Sequence, residues 1–159
     1  MKIRKAKKGD ELYIAELSTQ FWKAHKNIND PLLEPFKKLT FKDHIKNAKK
    51  SINNKDKNHF FLVAEIEDKV VGAKEFFIKT QDSFFKIRRY GYLDSTSVHE
   101  KYRKKGIAKA LTNETLKILG KKGIKYVKSN VYIKNKIAMN TWTKLGFKPL
   151  SINLFKTIK

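Results

Sequence analysis

The sequence predicts an α/β fold in which helices flank a mixed sheet. Three observations carry that expectation. A strand pattern over 85–98 leads through a helix pattern over 105–119 to another strand pattern over 126–132. Such a βαβ crossover favours parallel pairing. Upstream, strand patterns over 60–66 and 70–79 flank a short turn at Asp68, the mark of an antiparallel hairpin. Finally, 40% of the 159 residues are apolar, which suffices for a core and points to one domain over 1–159.

The elements follow in order. Residues 2–6 read as a short first strand, and Gly9-Asp10 supplies a turn and a helix N-cap. Over 11–25, Tyr13, Ile14, Leu17, Phe21 and Ala24 recur at helical spacing, with Trp22 near the edge of that face. Residues 27–35 hold Asn, Asp and two prolines and read as a loop. Thr40-Phe41-Lys42-Asp43 has the spacing of an acidic capping box, so a second helix starts there and fades by Asn53-Asn54. After the hairpin, 80–83 is a turn. The strand over 85–98 is long enough that a bulge is expected inside it. The helix from 105 puts Ile107, Ala108, Ala110, Leu111, Ile118 and Leu119 on one face, and Gly120 and Gly123 end it. A short helix over 136–145 stops at Gly146, and 147–158 supplies the last strand or two.

Composition narrows the function classes. No apolar run reaches the ~18 residues a membrane span needs, and the basic N-terminus lacks the apolar stretch of a secretory signal. The absence of cysteine excludes disulfides, thiolate metal sites and a cysteine nucleophile, and it fits a cytoplasmic protein. Four histidines show no metal-binding spacing, so no metal is expected. The net charge of +22 should attract polyanions, nucleic acid included. The excess is nearly all lysine and is spread along the chain, so it argues only weakly for a nucleic-acid partner.

The stretch from Val98 to Ala108 carries the functional signal. A strand ends at Val98 and a basic turn leads into a helix. Helix entries leave backbone N–H groups unpaired and aimed at one spot, where an anion binds. Gly106 lets a phosphate approach the backbone, and Arg103, Lys104 and Lys105 surround the spot with positive charge. The plain alternative is a turn with a solvated basic face.

Two segments resemble the GNAT family, the Gcn5-related N-acetyltransferases. Val98-x-x-x-Tyr102-Arg103-x-x-Gly106-Ile107-Ala108 is similar to the family's V-x-P-x-Y-[RQ]-x-x-G-x-[GA] segment, which binds the coenzyme A pyrophosphate. Asn135-x-x-Ala138-x-x-x-Trp142-x-Lys144-x-Gly146-Phe147 is similar to its N-x-x-A-x-x-x-Y-x-K-x-G-F segment. The resemblance implies a mixed, mostly antiparallel sheet of six to seven strands with a splayed parallel pair and about four helices. It implies acetyl transfer from acetyl-CoA, without a metal, to a primary amine of a small molecule, protein or peptide. Family members are often dimers. The alternative function is a basic module binding nucleic acid or the ribosome on a degenerate GNAT fold.

The resemblance implies a role for each site residue. Arg103, Lys104, Lys105, Gly106, Ile107 and Ala108 would hold the cofactor phosphates, and the backbone of Thr96, Ser97 and Val98 would pair with its pantetheine arm. The Thr96 N–H would polarise the thioester carbonyl. Asn135 would close the slot, cap a helix, or both. Trp142 stands where many members carry a tyrosine credited with protonating the departing thiolate, which indole cannot do; Tyr132 is a candidate substitute, its plain alternative being a structural aromatic. Lys104 stands where glycine is frequent, so its backbone is expected to avoid a strained φ. Asp94 is the candidate general base, because alternation puts it on one face with Thr96 and Val98 unless a bulge intervenes. Glu75 is a weaker candidate. Phe21, Trp22 and His25 would line the acceptor site.

Overall fold

In the computed structural model, residues 1–25, 38–154 and 156–158 are described. The loop expected at 27–35 lies outside them. Five strands, β1 (Lys2–Lys5), β2 (His59–Ile66), β3 (Lys69–Thr80), β4 (Arg89–Val98) and β5 (Val127–Ser129), form one sheet in the order β1-β2-β3-β4-β5. All neighbours pair antiparallel except β4 and β5, which run parallel. The crossover between those two is α3 (Ile107–Lys121), as a βαβ unit requires.

Each face of the sheet has its own core. On one side α1 (Glu11–His25) and α2 (Phe41–Ile52) bring Ile14, Leu17 and Ala48 onto Phe61, Val63, Val70 and Ala73. On the other, α3 sets Ile107, Leu111 and Leu119 against Leu62, Phe76, Ile78 and Leu93, and Trp142 of α4 (Lys136–Lys144) packs at the margin. Gly72 makes the α3 approach feasible: a Cβ there would meet Ile107 Cγ2 at 2.8 Å. The β2–β3 turn runs through Glu67 and Asp68, both in the left-handed region, which matches the strand twist.

Local signals act as their chemistry dictates. The Thr40–Asp43 capping box closes reciprocally at the start of α2. Asp10 accepts from the Lys7 N–H and forms a two-bonded ion pair with Arg4, whose guanidinium also reaches Glu65 of β2. That triad staples β1, β2 and the entry to α1. Desolvation opposes ionisation of Asp10, but the Arg4 and Lys7 contacts win and hold its carboxyl below the usual range.

Several expectations need correction. The described residues form five strands, not six or seven. β5 is three residues long, less than half the span expected, and no strand forms among the described residues of 147–158, where Leu150, Ile152 and Leu154 are exposed. Their apolar alternation finds no edge to pair with, because β5 ends at Ser129. β4 begins at Arg89, since Phe84 and Phe85 sit in the preceding turn. α3 begins at Ile107, not 105, and runs through Gly120 before turning at Gly123, whose φ is 74°.

Candidate active site

The crevice forms where β4 and β5 part. They pair only at Gly91–Val127, Tyr92–Lys128 and Leu93–Ser129. At that last rung the Ser129 hydroxyl donates to the Leu93 carbonyl at 2.9 Å. Beyond it Thr96, Ser97 and Val98 have β3 on one side and no β5 partner on the other. The free edge can therefore receive a peptide-like arm.

The basic turn follows directly on this free end of β4. After a short 3₁₀ turn over Glu100–Tyr102, the chain enters α3 through Gly106, whose φ is 77° and which offers no side-chain cap. A Cβ on Gly106 would meet nothing within 4 Å, so the space beside the turn at Gly106 is open. Lys104 also adopts a left-handed φ of 61°, contrary to the expectation that its backbone would avoid one. The tight turn needs that conformation at 104, and an ordinary side chain carries its cost of about 1 kcal/mol. Arg103 donates from Nε to the Val98 carbonyl at 3.1 Å, tying the turn to the strand end. Together the amides of α3's first turn, its dipole and the lysines fit an anion such as a diphosphate.

Across the crevice, Asn135 caps α4, its side chain accepting from the Ala138 N–H at 3.0 Å. The capping role thus holds, and it places α4 so that Trp142 faces the sheet. Trp142 stacks edge-on against Phe147 at 4.8 Å.

Beneath Trp142 lies a residue that the sequence reading passed over. Lys74 of β3 is fully buried, at 0% exposure. Its Nζ donates to Thr96 Oγ1 at 2.7 Å and sits 4.7 Å from the Trp142 ring centroid. Burial pulls its pKa down to about 7. A signal for it existed in the sequence. Gly72, Lys74, Phe76 and Ile78 alternate along β3, so the lysine occupies a core-facing position.

Asp94 behaves otherwise than alternation alone implies. Glu75 pairs with Ser95 and Phe76 with Leu93, so Asp94 is the extra residue of a bulge. Leu93 points into the α3 core and Thr96 meets Lys74 on that same face. Asp94 therefore turns to the opposite face, away from Thr96, toward Glu75, His59 and Lys79. It reaches solvent, yet desolvation by its surroundings and the Glu75 carboxylate push its pKa up, against the pull of Lys79 and His59. Glu75 itself bonds His59 Nε2 at 2.6 Å, and the imidazole stacks on Phe77.

The aromatics at the end of α1 that the resemblance assigns to the acceptor site lie in contact with one another. Phe21 stacks on His25 at 4.0 Å, Trp22 meets Phe21 edge-on, and His25 meets Tyr132 edge-on. The end of α1 thereby approaches the segment that follows β5. Among the described residues, no group of three His, Asp or Glu could hold a metal ion, and no helix is long and apolar enough to cross a membrane.

Residues 16–147 match the model of the acetyltransferase (GNAT) family. No curated protein matches the chain. Among solved structures, a mutant of a Bacillus halodurans protein superposes with a TM-score of 0.85 at 19% identity, covering 100% of both chains. The aminoglycoside N-acetyltransferase AAC(6')-Iy in complex with CoA gives 0.76 at 17% identity, over 99% of this chain and 94% of that one. An aminoglycoside 6'-N-acetyltransferase from Acinetobacter haemolyticus gives 0.76 at 16%, over 100% and 99%. At such identities the likeness is one of fold.

Proposed function

This chain belongs to the acetyltransferase (GNAT) family, and from that premise we propose that it is an acetyl-CoA-dependent N-acetyltransferase acting on a primary amine. The observation that carries the reading is the uncapped entry of α3 at Gly106, beside the unpaired edge of β4. A diphosphate on the α3 amides puts the pantetheine arm along Val98, Ser97 and Thr96, with the thioester near Thr96. The Thr96 N–H is the candidate donor to the carbonyl oxygen as it gains charge. Lys104, Lys105, Ile107 and Ala108 complete the phosphate site.

The amine must be neutral to attack. Asp94 is the candidate acceptor of its proton, with Glu75 beside it, and its raised pKa suits that task. Their face is also where a cationic amine would be drawn. In a chain of net charge +22, such a carboxylate pair is a local attraction that a compact amine can reach. A long lysine-rich tail would be repelled by the surrounding surface. The acceptor favoured here is therefore a small-molecule amine, and aminoglycosides are the first class to try.

The test is thermal denaturation with acetyl-CoA, followed by a thiol-release assay over a panel of aminoglycosides, polyamines and peptides. Stabilisation by acetyl-CoA and amine-dependent release of CoA are expected. A melting temperature unmoved by millimolar acetyl-CoA refutes the reading.

A further inference from the structure

A thiolate can leave a thioester unaided, but a proton delivered to the departing sulfur speeds the breaking of the C–S bond. If the acetyl group is handed over near Thr96, as proposed above, the sulfur lies in the crevice between Thr96 and α4. Trp142 projects from α4 toward this place, and its indole can donate a hydrogen bond but holds no titrating proton near neutrality. The group beneath it is Lys74. Its Nζ is 2.7 Å from Thr96 Oγ1 and 4.7 Å from the Trp142 centroid. From the geometry we infer that Lys74 is the catalytic acid of this transferase, giving its proton to the CoA sulfur as the C–S bond breaks.

The surroundings of Lys74 suit that role. On β2 it faces Leu62, and along its own strand face it is flanked by Gly72 and Phe76. From β4 comes the neutral Thr96 and from α4 the neutral Trp142. The nearby carboxylates, Glu75 and Asp94, lie on the opposite face of the sheet. Among the described residues, therefore, no fixed anion holds the ammonium, and the approaching negative sulfur is the partner it lacks. Burial brings its pKa to about 7, so it gives up a proton readily, while a developing thiolate at contact draws the proton onto the nitrogen beforehand.

The step balances. The neutral amine attacks the carbonyl carbon and a C–N bond forms. The tetrahedral intermediate collapses, the C–S bond breaks, and its electron pair goes to sulfur. The Lys74 ammonium transfers a proton to sulfur, leaving CoA thiol and a neutral lysine. The acceptor nitrogen loses its extra proton to Asp94 or water, and Lys74, buried once the site is empty, regains one from water that enters as product leaves.

The inference rests on the transferase reading, so the experiment must separate the two. Its probe is free CoA, with the thiolate followed by ultraviolet difference absorbance as pH is raised. A lysine beside the sulfur should lower the thiol pKa of bound CoA by one unit or more from the ~8.5 of an ordinary thiol. In Lys74→Met and Lys74→Gln, CoA should still bind, with its thiol titrating as it does free. With an accepting amine, both variants should lose roughly 10²–10³-fold in kcat with little change in KM for acetyl-CoA. If CoA does not bind the wild-type protein, the transferase reading falls and this inference with it. If CoA binds the wild-type protein and its thiol titrates normally, the inference alone is overturned, whatever the variants do.

Discussion

Replacing Lys74 with methionine should make the protein more stable, and the amount can be worked out. Burial lowers the lysine from 10.5 to about 7. At about 1.36 kcal/mol per pH unit, folding forfeits about 5 kcal/mol below pH 7, where the lysine is charged in both states, and nearly as much at pH 7. Against this stand the bond to Thr96, worth about 1 kcal/mol, and the contact with Trp142, worth about 1–2 kcal/mol. Methionine has similar length and no charge to desolvate, so a net gain of about 1–3 kcal/mol remains at pH 7. For a chain of this size that is a rise of roughly 3–10 °C in Tm. The sign with pH follows from linkage. Between pH 7 and 10.5 the folded lysine has shed its proton and the unfolded one keeps it. Unfolding there takes up a proton, so wild-type stability rises with pH across the window and the variant's advantage shrinks. Urea denaturation of both proteins at pH 6, 7, 8 and 9.5 reads this directly. A variant less stable than wild type at pH 7, with a difference that does not change up to pH 9.5, would refute the reasoning.

Three further outcomes are expected. Gly106→Asp puts a carboxylate before the α3 entry and forces a side chain to a φ of 77°; acetyl-CoA affinity, read by calorimetry, should fall at least tenfold, about 1.4 kcal/mol. Asp10→Ala removes two of the Arg4 guanidinium's bonds and leaves it only Glu65 as a charged partner, and should cost about 1–3 kcal/mol in urea denaturation at pH 7. Because the Asp10 carboxyl is held below 3.8 in the fold, its stabilisation is complete above that pH and is lost as pH falls further, so the two proteins should converge in strong acid. Gly91→Val brings a Cβ within 2.6 Å of Leu119 Cδ1 and 3.0 Å of Val127 Cγ1, and overpacking between α3 and β5 should cost about 1–3 kcal/mol in thermal denaturation.

What was legible in the sequence was set by local chemistry. Thr40 and Asp43 carry their own hydrogen-bond geometry, so the α2 start could be read residue by residue. The glycine of the Val98–Ala108 stretch needs its left-handed φ, and the helix entry it opens is where spacing placed it, two residues late. The missing strands failed for a non-local reason. Alternation at Leu150, Ile152 and Leu154 describes a strand only if an edge exists to receive it, and β5 is too short to supply one. Lys74 failed differently. Alternation did mark it as inward-facing, but a core lysine contradicts composition rules, and only the meeting of β3, β4 and α4 shows what lies around its Nζ.

In the proposed reaction, the bulge at Asp94 is what would let one strand serve two chemistries. Without it, Asp94 and Thr96 would share a face, and a carboxylate would sit beside the buried lysine. The two would form an ion pair, the lysine would keep its proton, and the carboxylate would be ionised but occupied. One inserted residue separates them. Thr96 then faces Lys74 and Trp142, the side of the proposed proton donor, while Asp94 joins Glu75 and His59 on the other face, the side of the proposed proton acceptor. The proposed donor and acceptor are thus held on opposite sides of the same strand, each with a pKa displaced toward neutrality by its own surroundings. Neither can neutralise the other, and in the proposed reaction the thioester beside β4 would lie between them.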